Sequence, residues 1–186
     1  MTISADEIQR TVSLYLEWYP DEYDELDRLF TALKVGTAYT SRKEFTGHIT
    51  CGSVLVDPKG RVLHIKHNAL DRWLLPGGHV EPEDVTLVGA ALREAQEETG
   101  IPVDALTSLP DFDGVPVDID VHPIPPNEGK GEPAHWHFDF RYAFTADPTT
   151  PIRLQDEEVA GSDWLAPDVM PARRLGQKLA TLGTAG

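Results

Sequence analysis

Basic residues and cysteine are scarce in this 186-residue sequence. It holds 16 Lys and Arg against 31 Asp and Glu, for a formal net charge of −15. A nucleic-acid backbone or an anionic membrane surface needs a basic footprint, so we expect neither as a partner. Cys51 is the single cysteine. It excludes a disulfide within the chain and favours a cytoplasmic location.

Long apolar runs are absent as well. No stretch of the sequence has enough consecutive apolar residues to cross a bilayer. The first residues are acidic, where a signal peptide would carry positive charge. The chain length predicts one domain, or one domain with an appendage. We expect an N-terminal helical extension over residues 1–40 and the main domain over residues 41–186.

Residues 4–33 predict two amphipathic helices that form a hairpin. Ser4 and Glu7 fit a capping box, Pro20 ends the first helix, and Asp21 is the candidate cap of the second. Apolar residues follow helical spacing in both segments, at Ile8, Val12, Tyr15, Leu16 and Tyr19 and then at Leu26, Leu29, Phe30 and Leu33. These stripes predict packing against the main domain, with a homodimer through the two helices as the alternative.

The rest of the chain alternates predicted strands with predicted helices. Residues 48–56 and 61–65 predict two strands around a turn, and residues 161–165 predict a late strand. A final helix is expected from Pro167 onward. Strands, helix, strands and helix in this order predict an α/β fold, with a mixed sheet covered by helices on both faces.

Two segments around a Pro/Gly-rich loop predict a further hairpin with one polar face. Apolar residues alternate there with polar ones, and a strand period of two places each set on its own face. The polar set is Asp118, Asp120 and His122 on the first strand and His135, His137, Asp139 and Arg141 on the second. The spacing H-x-H also occurs in zinc sites, so a zinc site is the weaker alternative to a phosphate-binding face.

Residues 77–101 carry a dense acidic group. A Gly-Gly turn precedes a predicted helix that ends at Gly100. Successive helical residues turn by about 100°, so Glu94, Glu97 and Glu98 share one face. Three carboxylates on one face repel each other, and a divalent cation would relieve that repulsion. Carboxylate oxygens are the ligands that Mg²⁺ and Mn²⁺ prefer.

This stretch resembles the Nudix box of the Nudix hydrolases, G-x5-E-x7-R-E-U-x-E-E-x-G-U with U aliphatic. The matching residues are Gly78, Arg93, Glu94, Glu97, Glu98, Gly100 and Ile101. Asp84 stands at the first Glu position, and eight residues rather than seven separate it from Arg93. Ala95 stands at the first U. The resemblance covers about residues 42–164 and implies the α/β/α Nudix sandwich.

The resemblance implies a metal-dependent hydrolase that cleaves the diphosphate linkage of a nucleoside diphosphate joined to another moiety. The substrate would be a small-molecule diphosphate and the cofactor Mg²⁺ or Mn²⁺. The implied metal ligands are Glu94, Glu97, Glu98 and the backbone carbonyl of Gly77. Arg93 would orient these carboxylates, and Glu98 would serve catalysis through the metal. Candidates for the general base are Glu94 and the later pair Glu157 and Glu158.

In the implied fold we interpret the polar hairpin face as lining a cleft above the acidic helix. His137 and Arg141 would meet substrate phosphates, Asp120 and Asp139 would restrain them, and the histidines would titrate near neutral pH. Two other functions stay open. One is an isopentenyl-diphosphate isomerase, for which Cys51 is the single candidate nucleophile although its apolar context speaks against it. The other is a non-catalytic nucleotide-sensing module, against which the intact glutamates argue.

Overall fold

The computed structural model describes residues 3–36, 38–68, 71–110, 112–154 and 159–182. The helices are α1 (Ala5–Trp18), α2 (Asp27–Val35), α3 (Leu87–Thr99) and α4 (Arg173–Leu182). The strands are β1 (His48–Val56), β2 (Val62–His67), β3 (Arg72–Leu74), β4 (Gly77–His79), β5 (Thr107–Ser108), β6 (Asp118–Ile124), β7 (His135–Thr145) and β8 (Val159–Leu165). Within the described ranges, every helix is too short or too polar to traverse a membrane.

Strand β1 lies at the centre of one mixed sheet. It pairs in parallel with β7 along its whole length, and antiparallel with β2 at one end and β4 at the other. Strands β5 and β6 extend the sheet beyond β7, and β3 and β8 extend it beyond β2. Both orientations occur in one sheet, which confirms the predicted mixed topology.

Side-chain alternation along β1 assigns α3 and α4 to opposite faces of the sheet. The Ser53 hydroxyl donates a hydrogen bond of 2.7 Å to the backbone carbonyl of Ala91 in α3. Odd-numbered residues of β1 therefore face α3. Val54 packs instead in a cluster with Leu175 and Leu179 of α4. Because α1 and α2 join the core on the α3 side, the molecule is an α/β/α sandwich, as expected.

The two N-terminal helices use their apolar stripes inside the chain. Ser4 caps α1 as predicted, since its hydroxyl oxygen accepts the Glu7 backbone N–H at 3.2 Å. The buried residues of the stripes are Ile8, Val12 and Tyr15 of α1 and Leu29 and Leu33 of α2. Packing against the domain is thus confirmed, and the homodimer stays a prediction. Asp21 does not cap α2, because Pro20 starts a 3-10 helix and α2 begins only at Asp27.

Two other boundaries differ from the sequence prediction. The two glycines at 77 and 78 belong to strand β4, not to a turn, because their lack of side chains lets β4 lie close against β1. A Cβ added at Gly77 would come within 2.7 Å of the Cys51 carbonyl oxygen. The final helix begins at Arg173 instead of Pro167, because Pro167–Val169 forms a separate 3-10 turn followed by the extended Met170.

A buried lysine joins α4 to the N-terminal helices and to the sheet. The Lys178 ammonium donates hydrogen bonds to Asp118 at 2.7 Å, to the Tyr15 hydroxyl at 2.7 Å and to Glu22 at 3.0 Å. Its side chain is 8% exposed and that of Asp118 is 2% exposed. Burial raises the pKa of Asp118, while Arg141 and Lys178 act in the opposite direction. The cation therefore offsets part of the cost of burying this carboxylate.

We predict that Lys178→Met lowers the free energy of unfolding by about 3 kcal/mol, because it removes a buried cation that pairs with Asp118 and Glu22. Equilibrium denaturation in urea measures this change. The matched control is Lys59→Met at an exposed turn position, for which we expect less than about 0.5 kcal/mol. Equal unfolding free energies for the two variants would contradict the stabilising role of Lys178.

Candidate functional site

Helix α3 carries the acidic residues to the edge of strand β4. The Thr86 hydroxyl caps the helix by accepting the Gly89 N–H at 3.0 Å. Gly100 ends it in the left-handed conformation, with φ 70°, as predicted. Ala91 and Ala95 are fully buried against the sheet. Glu98, one turn beyond Ala95, is buried with them and points at β4 instead of solvent.

Two of the predicted ligand carboxylates lie directly against the glycines of β4. The Gly77 backbone N–H donates a 2.8 Å hydrogen bond to Glu98 Oε2. The Glu94 carboxylate fills the space beside Gly78, where an added Cβ would come within 2.6 Å of Glu94 Oε1. Any other residue at position 78 would therefore displace Glu94. Glycine is required here for the close approach of a carboxylate to the backbone.

Arg93 holds this acidic cluster together. Its Nε and Nη2 donate to the two carboxylate oxygens of Asp84 at 3.0 and 2.9 Å. Its Nη1 donates to Glu94 and to Glu97, both at 2.9 Å, and Nη2 also reaches the His79 carbonyl at 2.9 Å. A bidentate pair of this kind fixes the plane of the guanidinium. Arg93 thus positions two of the three predicted ligands.

Asp84 is the member of this cluster whose role the sequence did not identify. Its side chain is 6% exposed and forms an ion pair with Arg93, while its Oδ2 also accepts the Glu81 N–H at 2.8 Å. The available signal was its place at the first Glu position of the box. An aspartate is one methylene shorter than glutamate, and here it still reaches the arginine.

The donor set of this cluster fits a hard divalent cation. Burial raises the pKa of Glu94, Arg93 opposes that change, and the charges of Glu97 and Asp84 add to the increase. A cation bound beside Glu94 would oppose this increase. All the side-chain donors are carboxylate oxygens, and a cradle without a side chain lies beside them at Gly78. Oxygen donors of this kind suit Mg²⁺ or Mn²⁺.

The register of the β6–β7 hairpin confirms the predicted polar face. The facing pairs are Asp118 with Arg141, Asp120 with Asp139, His122 with His137 and Ile124 with His135. Residues that face each other across an antiparallel pair point to the same side of the sheet. The seven polar residues named from the sequence therefore share one face.

The position of this polar face differs from the expectation. Arg141 pairs with Gly52 of β1, and even-numbered residues of β1 point away from α3. The face therefore lies on the side of the sheet opposite α3, and the prediction that it looks onto the acidic helix is wrong. The sequence shows the alternation but not which face α3 covers. Strand β4 separates the two clusters, with Gly78 toward Glu94 and His79 toward the polar face.

Arg141 is enclosed by three aspartates. Its Nη1, Nη2 and Nε donate to Asp118 at 2.9 Å, Asp120 at 2.7 Å and Asp139 at 2.8 Å. Its side chain is 13% exposed, and Asp139 also accepts the Thr50 hydroxyl at 3.0 Å. A phosphate would have to displace a carboxylate to reach this guanidinium. The geometry therefore does not support the predicted phosphate contact of Arg141, and it gives the residue a structural role.

The histidines of the polar face form a packed cluster. The His137 ring centroid lies 4.8 Å from that of His48, 5.2 Å from His135, 5.5 Å from His79 and 5.7 Å from His122. Burial first, and the neighbouring imidazoles second, lower the pKa of His137 to about 3. Burial likewise lowers the pKa of His79 to about 4. The expected titration near neutral pH is therefore wrong for His137. His79, which was not part of that expectation, is neutral there as well.

Three sequence candidates remain. Glu157 and Glu158, the alternative bases, lie outside the described residues. Cys51 is buried, and burial raises the pKa of its thiol well above the ordinary value. A neutral, enclosed thiol is a poor nucleophile. The structure therefore offers no support for the isomerase alternative, which requires a reactive cysteine.

Comparison with known proteins gives one consistent result. The sequence pattern of the NUDIX domain matches residues 46–182. A probable DHNTP pyrophosphohydrolase of Lactococcus lactis subsp. cremoris is 39% identical over 90 residues, which are 48% of this chain and 49% of the relative. The m7GpppN-mRNA hydrolase NUDT17 of Homo sapiens is 33% identical over 128 residues, 64% of this chain and 36% of the relative. The chain thus spans about half or less of the length of these relatives.

A solved structure agrees with this result at the level of the fold. The binary complex of a C. elegans Ap4A hydrolase superimposes with a TM-score of 0.56 and 19% sequence identity. The match covers 74% of this chain and 98% of that one. At this level of identity the similarity supports the fold alone.

We predict that Arg141→Gln lowers the free energy of unfolding by about 3 kcal/mol, because it removes a cation that pairs with all three of these close aspartates. Chemical denaturation monitored by tryptophan fluorescence measures this loss. Arg10→Gln, at an exposed position of α1, serves as the control and should change little. A stable Arg141→Gln protein would show that the arginine is not needed for folding and would return it to the candidates for substrate contact.

Proposed function

The chain belongs to the NUDIX domain family, and we propose that it hydrolyses the diphosphate linkage of a nucleoside diphosphate joined to another moiety. As a Nudix-type hydrolase it acts on acid anhydrides of phosphorus-containing compounds. The observation that carries the proposal is the carboxylate pair of Glu94 and Glu98 set against the glycines of β4. A folded but inactive family member would not need these groups to be held so closely.

In this chain, Mg²⁺ or Mn²⁺ would be held by Glu94, Glu97, Glu98 and the backbone carbonyl of Gly77. When bound, such a metal neutralises phosphate charge and lowers the pKa of a coordinated water. Arg93 keeps Glu94 and Glu97 oriented, and the Gly77 N–H keeps Glu98 in place. This arrangement supports catalysis by positioning and electrostatics, as in other phosphoryl transfers.

The general base has two sets of candidates. Burial raises the pKa of Glu94, which moves it toward the range useful for accepting a proton from water. Its place beside Gly78 also suits it to be a ligand, and one carboxylate rarely serves both roles. Glu157 and Glu158 therefore remain the other candidates, and the pH dependence of single variants at these three positions would separate them.

A small molecule is a better substrate than a capped mRNA for this chain. The relatives are named for DHNTP, for m7GpppN-mRNA and for Ap4A, so the family resemblance leaves the substrate open among them. A net charge of −15 repels a nucleic-acid backbone, which needs basic residues to replace its counterions. A bound metal reverses the local field for a compact diphosphate. We therefore expect activity on small diphosphate compounds.

We predict strict dependence on a divalent metal across a panel of nucleoside diphosphate and polyphosphate compounds, including DHNTP and Ap4A. Excess EDTA should abolish release of phosphate or monophosphate, and Mg²⁺ or Mn²⁺ should restore it, because water at neutral pH is a poor nucleophile without metal activation. Chromatography of the products identifies both the substrate and the bond that is cleaved. Full activity in excess chelator, or no activity on any compound, would overturn the proposed function.

We predict that Glu98→Gln lowers turnover by about 100-fold or more, the scale of losing a charge-stabilising group. The amide oxygen of glutamine can still accept the Gly77 N–H, so the fold and its melting temperature should be preserved. Steady-state kinetics on the best compound of the panel measure the loss. Glu83→Gln, an exposed acid of the loop before α3, is the control and should keep wild-type turnover. Near-wild-type hydrolysis by a folded Glu98→Gln protein would refute the metal-ligand assignment.

A further inference from the structure

Three histidines converge on the side of the sheet opposite the acidic helix. The ring nitrogens that His48, His135 and His137 can offer to a metal lie within 4.8 Å of one another. Nε2 of His135 is 3.3 Å from Nε2 of His137. His48 opens β1 and His137 lies near the start of β7, and the parallel register pairs these two residues directly. His48 lies 89 positions before His137 in the sequence, and this pairing brings it next to the H-x-H pair. The sequence pattern alone did not show this contact.

Backbone carbonyls fix the orientation of two of these rings. Nδ1 of His48 is 3.0 Å from the Glu44 carbonyl, and Nδ1 of His135 is 2.8 Å from the Pro133 carbonyl. A carbonyl can only accept, so each Nδ1 carries the ring proton and each Nε2 presents a lone pair to the cluster. Nε2 of His48 is buried, with no hydrogen-bond partner in the described part of the chain. Metal-ligating histidines commonly donate the other ring N–H to such a carbonyl.

The charge state of the cluster favours a cation over an anion. Each of the three rings is buried or half-buried beside the others, and burial beside other imidazoles disfavours a charged ring. A neutral imidazole offers a lone pair to a metal but little attraction to a phosphate. Two nitrogens bound to one zinc ion at about 2.0–2.1 Å in tetrahedral geometry are about 3.3 Å apart. The 3.3 Å separation between His135 and His137, which also suits a hydrogen bond between the two rings, therefore equals that of two ligands on one ion.

We propose that His48, His135 and His137 bind a zinc ion, or a divalent cation of similar nitrogen preference, through their Nε2 atoms. Imidazole nitrogen suits zinc, whereas the carboxylates on the other face suit Mg²⁺, so the two sites select different metals. Three protein ligands leave one tetrahedral position for water or an anion. The ring centroid of His79 lies 5.1 Å from that of His48 and 5.5 Å from that of His137, so this residue borders the cluster. The zinc site does not depend on the proposed hydrolase activity.

The first test measures metal on the wild-type protein. The full chain, purified without a metal-affinity tag and dialysed against EDTA, is titrated with Co²⁺ while visible absorption is recorded. We expect the intense bands of four-coordinate Co²⁺ to saturate at one equivalent and to disappear when Zn²⁺ is added. Elemental analysis after zinc loading and dialysis should find one zinc per chain. Absence of both the bands and the retained zinc overturns the proposal.

The second test locates the ion with matched variants. His48→Gln and His137→Gln should each weaken zinc binding by at least about 100-fold, more than the loss of an outer-shell partner. His64→Gln is the control, because His64 is also buried and its Nδ1 also contacts a carbonyl, at 3.1 Å from Val62 O, but it lies outside the cluster. Glu98→Gln, which alters the carboxylate site, should keep the cobalt bands. Unchanged affinity in both cluster variants, or loss of the bands in Glu98→Gln alone, overturns the assignment.

A thermal readout separates zinc binding from a structural defect. Excess zinc should raise the melting temperature of the wild type and of His64→Gln, because an ion that binds only the folded chain stabilises it. It should not raise the melting temperature of His137→Gln. This variant is preferred to His48→Gln for the measurement because the His137 side chain is half-buried, whereas that of His48 is buried. Stabilisation of the wild type by inorganic phosphate instead of zinc would identify an anion site and contradict the proposal.

Discussion

The close approach of β4 to β1 is the constraint on which both clusters depend. At this point the sheet consists of bare backbone, because Gly77 and Gly78 have no side chains to hold the strands or the helix away. On one side that space admits Glu94 and gives Glu98 a backbone N–H to accept. On the other side His79 continues the strand into the imidazole cluster. The carboxylate cluster and the histidine cluster are thus separated only by the backbone of β4.

Two arginines, Arg93 and Arg141, each form ion pairs with several carboxylates. Arg93 binds Asp84, Glu94 and Glu97 on the helical side, and Arg141 binds three aspartates on the opposite side. Both groups carry more negative than positive charge. In a chain with a net charge of −15, such excess is stable only where hydrogen bonds and cations offset the repulsion. The carboxylates around Arg93 and Arg141 are held together in this way.

The sequence predicted those features that depend on local periodicity. The shared face of the three glutamates follows from the helical repeat, and the polar face of the second hairpin follows from the strand repeat. Features that depend on distant segments were beyond such patterns. The side of the sheet that α3 covers, the pairing of His48 with His137 and the ion pair between Asp84 and Arg93 all required the fold. The extra residue between Asp84 and Arg93 also hid the role of Asp84, because the spacing between these two residues no longer matched the Nudix box.

The parallel pairing of β1 with β7 has a consequence for how the protein acquires its function. Thr50 and Asp139, joined by a hydrogen bond, are 89 residues apart, so a long loop must close before these two strands can pair with each other. Such non-local contacts form slowly, and their entropy cost is met only when many form together. The helical box can take shape early from local contacts, whereas the imidazole cluster cannot exist before the strands meet. The histidine cluster therefore forms only after β1 and β7 have paired. A chain shortened before β7 would keep the acidic motif but would lack the histidine cluster.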